Sequence, residues 1–313
     1  MKLGTYELLR ELGGLGAGTR WLARAESDTS ETPKLFEIAR VHKHLLKKPE
    51  VAEAFLADVR PAVGFRHPNV VTLVEANHEG ELHVVSEHHE GELLSNLITS
   101  AGADGLPLPV VVRITLDVLE ALAAAHEHEP GVFHGELGPH HVLVGADGVT
   151  RVTGLGTARA LSRIAPPLGL KNQERLAYAA PERAKALASP IAPATPPPLD
   201  ARSDLFSVGV MLWEGVARQR LFASKIDAAI VQKVLTGPIA ALSSITGVTA
   251  SEAIEGAAQK ALERDAQKRT RSAAMMIASL EVLDPAQIAT TSDVAAQVEK
   301  LAGKALAARR ADA

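Results

Sequence analysis

The sequence predicts an α+β protein of two lobes, a small strand-rich lobe followed by a larger helical one. Three observations predict it. Short runs of alternating apolar and polar residues, broken by glycine, fill the first part of the chain. Apolar residues at helical spacing dominate the remainder. Hydrophobic residues make up 46% of the 313, enough for a substantial core. Strands first and helices after is the order expected of segregated layers.

The elements follow in order. Tyr6 to Leu12 alternates, a glycine cluster runs from Gly13 to Gly18, and Arg20 to Ala25 alternates again. Leu35 to Val41 reads as another strand. Val51 to Val63 has helical spacing, but Pro61 removes a helical hydrogen bond and should kink or end it. Val70 to Glu75 and Glu81 to Glu87 read as a strand pair. Val110 to His128 is a strong helix, and Phe133 to Arg159 reads as short strands and loops. Leu205 to Ala217, Lys225 to Leu235, Ala250 to Arg264 and Ala273 to Leu283 are further helices. Pro190 to Pro198 is too proline-rich for helix or central strand. A last helix spans Ser292 to Ala308, with Ser292 as its N-cap and a Val294, Val298, Leu301 stripe that fits packing or self-association.

Composition narrows the function. A net charge of −4 supplies no basic field for nucleic acid. Mixed charges leave no membrane-surface stripe. With no cysteine, disulfides and thiolate metal sites are excluded. No signal-peptide pattern and no membrane-length apolar run is visible, so the expected location is the cytoplasm. The paired histidines, such as His88/His89 and His140/His141, lack carboxylates at ligand spacing, so no metal site is expected.

Several motifs in one order resemble those of the bacterial, eukaryote-like Ser/Thr protein kinases, over roughly residues 4 to 284. Leu12 to Ala23 looks like the glycine-rich loop, with Gly13 and Gly18 at the outer positions and Leu15 at the middle one. Arg20 falls where an apolar residue covers adenine. Glu37-Ile38-Ala39-Arg40 looks like the third-strand motif, Arg40 replacing the lysine and Ile38 crowding the adenine roof. Asp58 aligns with the helical partner glutamate. An Arg40–Asp58 pair could span that gap and keep the architecture of the lobes, or be a plain surface pair worth under about 1 kcal/mol. Ser86 falls at the gate of the rear pocket. His134-Gly135-Glu136-Leu137-Gly138-Pro139-His140-His141 resembles the catalytic loop. Within it His134 is structural, Glu136 replaces the catalytic aspartate, Gly138 the lysine and His141 the metal-binding asparagine. Gly154-Leu155-Gly156 resembles Asp-Phe-Gly, with Gly154 in place of the Mg²⁺ ligand and Leu155 keeping the apolar plug. Ala180-Pro181-Glu182, Asp204 to Gly209, and Asp265 to Arg269 match the structural landmarks. Glu182 and Arg269 should form a buried ion pair.

The resemblance implies a kinase-like small lobe over 1–87, a large lobe over 88–284 and a helical extension over 285–313. Residues that carry the fold match the family, whereas those that hold phosphate and metal do not. Losing one electrostatic donor costs about 10²–10³ in rate, and several are altered here. The expectation is therefore a pseudokinase: not an enzyme, without cofactor or metal, serving as a scaffold or allosteric partner in bacterial signalling. Its partner would be a protein, an active kinase or a second copy, not nucleic acid or membrane. The alternatives are an atypical phosphotransferase using Glu136, or a metal-independent nucleotide or small-ligand sensor. The proline-rich loop is a candidate partner site or a spacer.

Overall fold

A computed structural model describes residues 1–30, 33–78, 80–165, 172–188 and 200–311. The proline-rich stretch from Pro190 to Pro198 lies outside the described residues.

The strands β1 (Lys2–Leu3), β2 (Tyr6–Leu15), β3 (Gly18–Ala25), β4 (Leu35–Val41), β5 (Leu73–Asn77) and β6 (His83–Glu87) form one antiparallel sheet in the order β1-β2-β3-β4-β6-β5. Between β4 and β5 lies helix α1 (Pro49–Val59). It stops two residues before Pro61, and one 3₁₀ turn, Arg60–Ala62, follows. Strand β2 continues through Gly13 and Gly14, with a shift of register between Glu11 and Gly13, so the turn to β3 is tighter than the glycine cluster alone suggests. At Gly18 a Cβ would run into the carbonyl of Arg40, so only glycine lets β3 approach β4 this closely.

The register of β4 corrects the third-strand reading. Trp21 lies opposite Ile38 and Thr19 opposite Arg40, while Arg20 lies opposite Ala39. Successive side chains point to opposite faces, so Ile38 and Arg40 share one face and Ala39 the other. Ile38 is fully buried with Tyr6, Leu8, Ala23 and Val85. Ala39 packs into the main core with Val41, Val84 and, from α1, Phe55 and Val59. Ile38 therefore does not roof a cleft. Nor does Arg40 meet Asp58: its guanidinium binds Glu81 through two bonds, at 3.0 and 2.6 Å. A shift of one residue sends every side chain to the opposite face.

The helical part begins with β7 (Gly91–Leu93), α2 (Leu94–Ala101) and α3 (Leu108–Glu127). Strands β8 (Val142–Gly145) and β9 (Thr150–Val152) join β7 in a second sheet, ordered β7-β8-β9. Then come α4 (Ala158–Ile164), α5 (Asn172–Tyr178), α6 (Pro181–Ala188), α7 (Ala201–Ala217), α8 (Asp227–Thr236), α9 (Glu252–Ala261), α10 (Ala273–Leu280) and α11 (Thr291–Ala311). The short helices α2, α4, α5 and α6 escaped the sequence reading. Helices of seven or eight residues are marginal alone and are held by tertiary packing.

Helix α7 is buried along nearly its whole length and packs between α3 and α9. Asp200 caps it by accepting from Arg202 N. The ion pair expected between Glu182 and Arg269 forms against this helix. Arg269 donates to both Glu182 oxygens at 3.0 and 3.2 Å, and to the carbonyls of Arg202 and Glu263 at 2.7 and 2.8 Å. Its guanidinium also lies 5.1 Å from the Phe206 ring centroid.

Helix α11 starts earlier than the sequence suggested. Thr290 Oγ1 accepts from Asp293 N while Asp293 accepts from Thr290 N, so Thr290, not Ser292, is the cap. Its buried stripe is Val294, Val298, Ala302 and Leu306, with Leu301 only half-buried. At its far end Arg309 binds Glu92 and the carbonyl of Gly91, and Arg310 binds Glu90. Among the described residues no helix is long and apolar enough to cross a membrane.

Replacing Glu182 by Gln strands the fully buried Arg269 charge. We expect a loss of about 3–5 kcal/mol in unfolding free energy, read by urea denaturation. A loss below about 1 kcal/mol would show that the backbone carbonyls alone satisfy Arg269.

Candidate active site

The loop from His134 to His141 is suspended from α7. Asp204 accepts from His134 N at 2.9 Å, Gly135 N at 2.8 Å and His126 Nε2 at 3.0 Å. Burial alone would raise the pKa of Asp204. The hydrogen bond and charge of His126, with the neighbouring His134 and the Gly135 amide, instead hold it below the ordinary carboxylate value. The His134 ring bonds the carbonyl of Thr153 at 2.9 Å, which carries the support on to the Gly154-Leu155-Gly156 turn. Leu155 is buried in the main core. Strand β9 is fixed from the other lobe by Asn69, whose side chain donates to Thr150 O and whose carbonyl accepts from Val152 N.

Glu136 is buried and fully engaged. Its Oε1 accepts from Arg175 Nη2 at 2.8 Å and Arg183 Nη2 at 3.0 Å, and its Oε2 accepts from Ser162 Oγ at 2.7 Å. Charge-assisted bonds of this length are among the stronger ones. None of Arg175, Arg183 and Ser162 was singled out from the sequence. They come from α5, α6 and α4, and no local pattern links them.

His141 and Gly154 face each other. A Cβ on Gly154, whose φ is 73°, would sit 3.1 Å from His141 Nδ1. The ring of His141 packs 4.8 Å from that of His134 and 4.5 Å from that of His140. Burial, then the nearby His140, His134, Arg175 and Arg20, holds the His141 pKa well below that of a free imidazole. A neutral imidazole can ligate a metal, but it offers Mg²⁺ a nitrogen where that ion prefers oxygen. Among the described residues no three His, Asp or Glu side chains converge as a metal cage. At Gly138 a side chain would press on His140 at 2.8 Å and Tyr178 at 3.3 Å.

The roof differs from the sequence reading. Arg20 shares the core-facing side of the sheet with Ala39 and pairs with Glu37 at 3.2 Å. The inward position of β4 is thus Ala39, which brings no cation. Ser86, opposite Glu37, is half-buried. Asp58 is drawn to α4, where it pairs with Arg163 and, at 3.8 Å, with Arg159. The alternation of β4 could have revealed the Ala39 placement, but only once its partner strands were known.

The description "Protein kinase domain" matches residues 23–294. The chain belongs to the protein kinase family. It is 30% identical over 246 residues to the tyrosine-protein kinase MasK of Myxococcus xanthus, covering 75% of this chain and 36% of MasK. Over 297 residues it is 25% identical to a probable serine/threonine-protein kinase of Clostridium perfringens, covering 94% of this chain and 40% of that one. PknA of Mycobacterium tuberculosis, a serine/threonine-protein kinase, matches at 25% over 243 residues, covering 75% of this chain and 52% of PknA. The chain thus spans about a third to a half of the length of these curated relatives. The solved PknI kinase domain of M. tuberculosis superposes with a TM-score of 0.66 at 16% identity, covering 90% of this chain and 96% of that one. The two-lobed kinase-like fold is thereby established. These relatives also correct the expectation that the chain is no enzyme. A protein kinase domain and relatives named as tyrosine- and serine/threonine-protein kinases point to a kinase.

The buried histidines set a pH dependence. Burial, with His134 and Arg175 nearby, pushes His140 down from 6.5 to about 3. In the unfolded chain that ring takes a proton near pH 6.5, so between these values the unfolded state binds more protons. Stability should therefore fall as pH drops below about 6.5. Replacing His140 by Gln should flatten the acid limb of melting temperature against pH. An unchanged limb would place the dependence elsewhere.

Proposed function

We propose that this kinase-family protein is a signalling module that acts by engaging a protein partner and does not take up Mg·ATP in the manner of its relatives. The single observation that carries the reading is the state of Glu136. This carboxylate is saturated by Arg175, Arg183 and Ser162 instead of facing an open groove. Its surroundings support the same reading. Gly154 has no ligand atom, His141 offers a neutral nitrogen, and Ala39 brings no cation to the phosphates. The partner would be an active kinase or a second copy of the chain. Location in the cytoplasm and a boundary between lobes near residue 87 belong to the same proposal.

A second reading is favoured by one contact. Ser162 Oγ donates to Glu136 at 2.7 Å, the relation a phosphoacceptor hydroxyl has to a general base. With kinases among its relatives, the chain could then move phosphate by an atypical route through Glu136.

Melting temperature with ATP, with and without Mg²⁺, separates the two readings. The first expects no Mg²⁺-dependent rise. A rise of several degrees at saturating Mg·ATP would overturn it, because a ligand bound at about 100 times its Kd stabilises by about 2.7 kcal/mol. The second expects labelled ATP to mark protein in the wild type and not in Glu136→Gln. Absence of label with every divalent metal tried would remove it.

A further inference from the structure

A cavity of about 260 Å³ opens where α1 meets the segment that leads into His134. Ala57, Asp58 and Pro61 wall it from α1 and the turn that follows, Val132 and Phe133 from the segment before the loop, and Arg159 from α4. Its volume lies near the lower end, about 300 Å³, of pockets that take small ligands. Gly156 closes one side, where a Cβ would sit 2.5 Å from that of Ala62, so turn and small lobe already touch there. The ring of Phe133 lies 5.3 Å from that of His126, which donates to Asp204. The cavity therefore lies between α1 and the groups that suspend the His134 loop, and Glu136 takes no part in it.

Its charge is unbalanced. Asp58 is claimed by Arg163, and its contact with Arg159 is an ion pair at 3.8 Å, too long for a hydrogen bond. Among the described residues Arg159 makes no hydrogen bond. Two guanidinium groups thus share one carboxylate, and the one left with open donors lines the cavity. The walls from Ala57, Pro61, Val132 and Phe133 are apolar. A guanidinium with open donors suits a carboxylate, which it can take through two parallel N–H bonds. Apolar walls are satisfied by carbon, so a bare inorganic anion would leave most of the cavity uncovered.

We propose that this cavity binds a small organic acid, with its carboxylate on Arg159 and an apolar body the size of one aromatic ring against Pro61, Val132 and Phe133. The ligand touches α1 on one side and the segment before His134 on the other, so it joins the small lobe to the loop frame. Its recognition uses neither nucleotide nor metal. The inference goes beyond the proposed function and holds with either reading of it.

Phenylacetate is the probe, with phenylacetamide as its uncharged counterpart. Saturation-transfer NMR on the full chain in EDTA reads binding on the ligand, and titration gives its Kd. A probe of about ten non-hydrogen atoms supports a Kd of about 1 mM. Three results are expected: saturation transfer to phenylacetate, binding of phenylacetamide at least about tenfold weaker, and a similar loss for phenylacetate on Arg159→Gln. Ala57 is exposed on α1, so Ala57→Leu fills the cavity without disturbing the core and should abolish binding. It also decides the matter should Arg159→Gln fail to fold. No saturation transfer to phenylacetate at about ten times that Kd overturns the proposal. Binding that survives Ala57→Leu overturns the assignment to this cavity, and equal binding of phenylacetamide overturns the role of Arg159.

Discussion

Asp204 is buried at the head of a helix that is itself buried along nearly its whole length, and its carboxylate joins three segments of chain. Two backbone amides of the His134–Gly135 turn and the ring of His126 all donate to it. A buried carboxylate is tolerable only when its lone pairs are met by donors, and these are. From His134 the support continues through its ring to Thr153, and so to the turn that ends at Gly156. Glu182 and Arg269 do the same work at the other side of α7. Remove that frame and the loop carrying Glu136 loses its backbone anchors at His134 and Gly135.

What the frame holds has been rebuilt around contacts between its own parts. His141 and Ala158 each lie 3.1 Å from where a Cβ on Gly154 would sit, and His140 and Tyr178 occupy the space beside Gly138. On the roof, Arg20 is neutralised by Glu37 rather than left free for phosphate. Around Glu136 the balance runs the other way, with more cationic than anionic charge. The result, among the described residues, is a cleft with a largely shielded, arginine-rich floor and no metal cage, inside a protein whose family and relatives are kinases.

The two lobes are also tied from outside. Helix α11 lies along α2, β7 and β8, buried through Val294, Val298, Ala302 and Leu306. Its basic end reaches the segment between the lobes at Glu90 and Glu92, and Arg10 of β2 donates to the carbonyl of Arg309 at 3.5 Å. The exposed Arg310–Glu90 pair contributes little, whereas Glu92 is buried beneath Arg309. The apolar stripe fixes the helix, and the arginines set where it ends.

The sequence by itself determined the fold and which side chain stands at each single position. Strand alternation, the apolar period of α3 and α7, and the landmarks at Glu182, Asp204 and Arg269 are local signals, read from a residue and its near neighbours. So is the absence of a ligand atom at Gly154. Only the tertiary structure decided which side chains meet. The pairing of Arg40 with Glu81 instead of Asp58, and the inward turn of Ala39 instead of Ile38, depend on the register of β4 against β3 and β6. A strand's pattern fixes its alternation but not which face is turned inward. The saturation of Glu136 by residues from three short helices lay further still from view. Those helices form because they pack against the frame, and the contact follows from that packing rather than from any spacing in the chain.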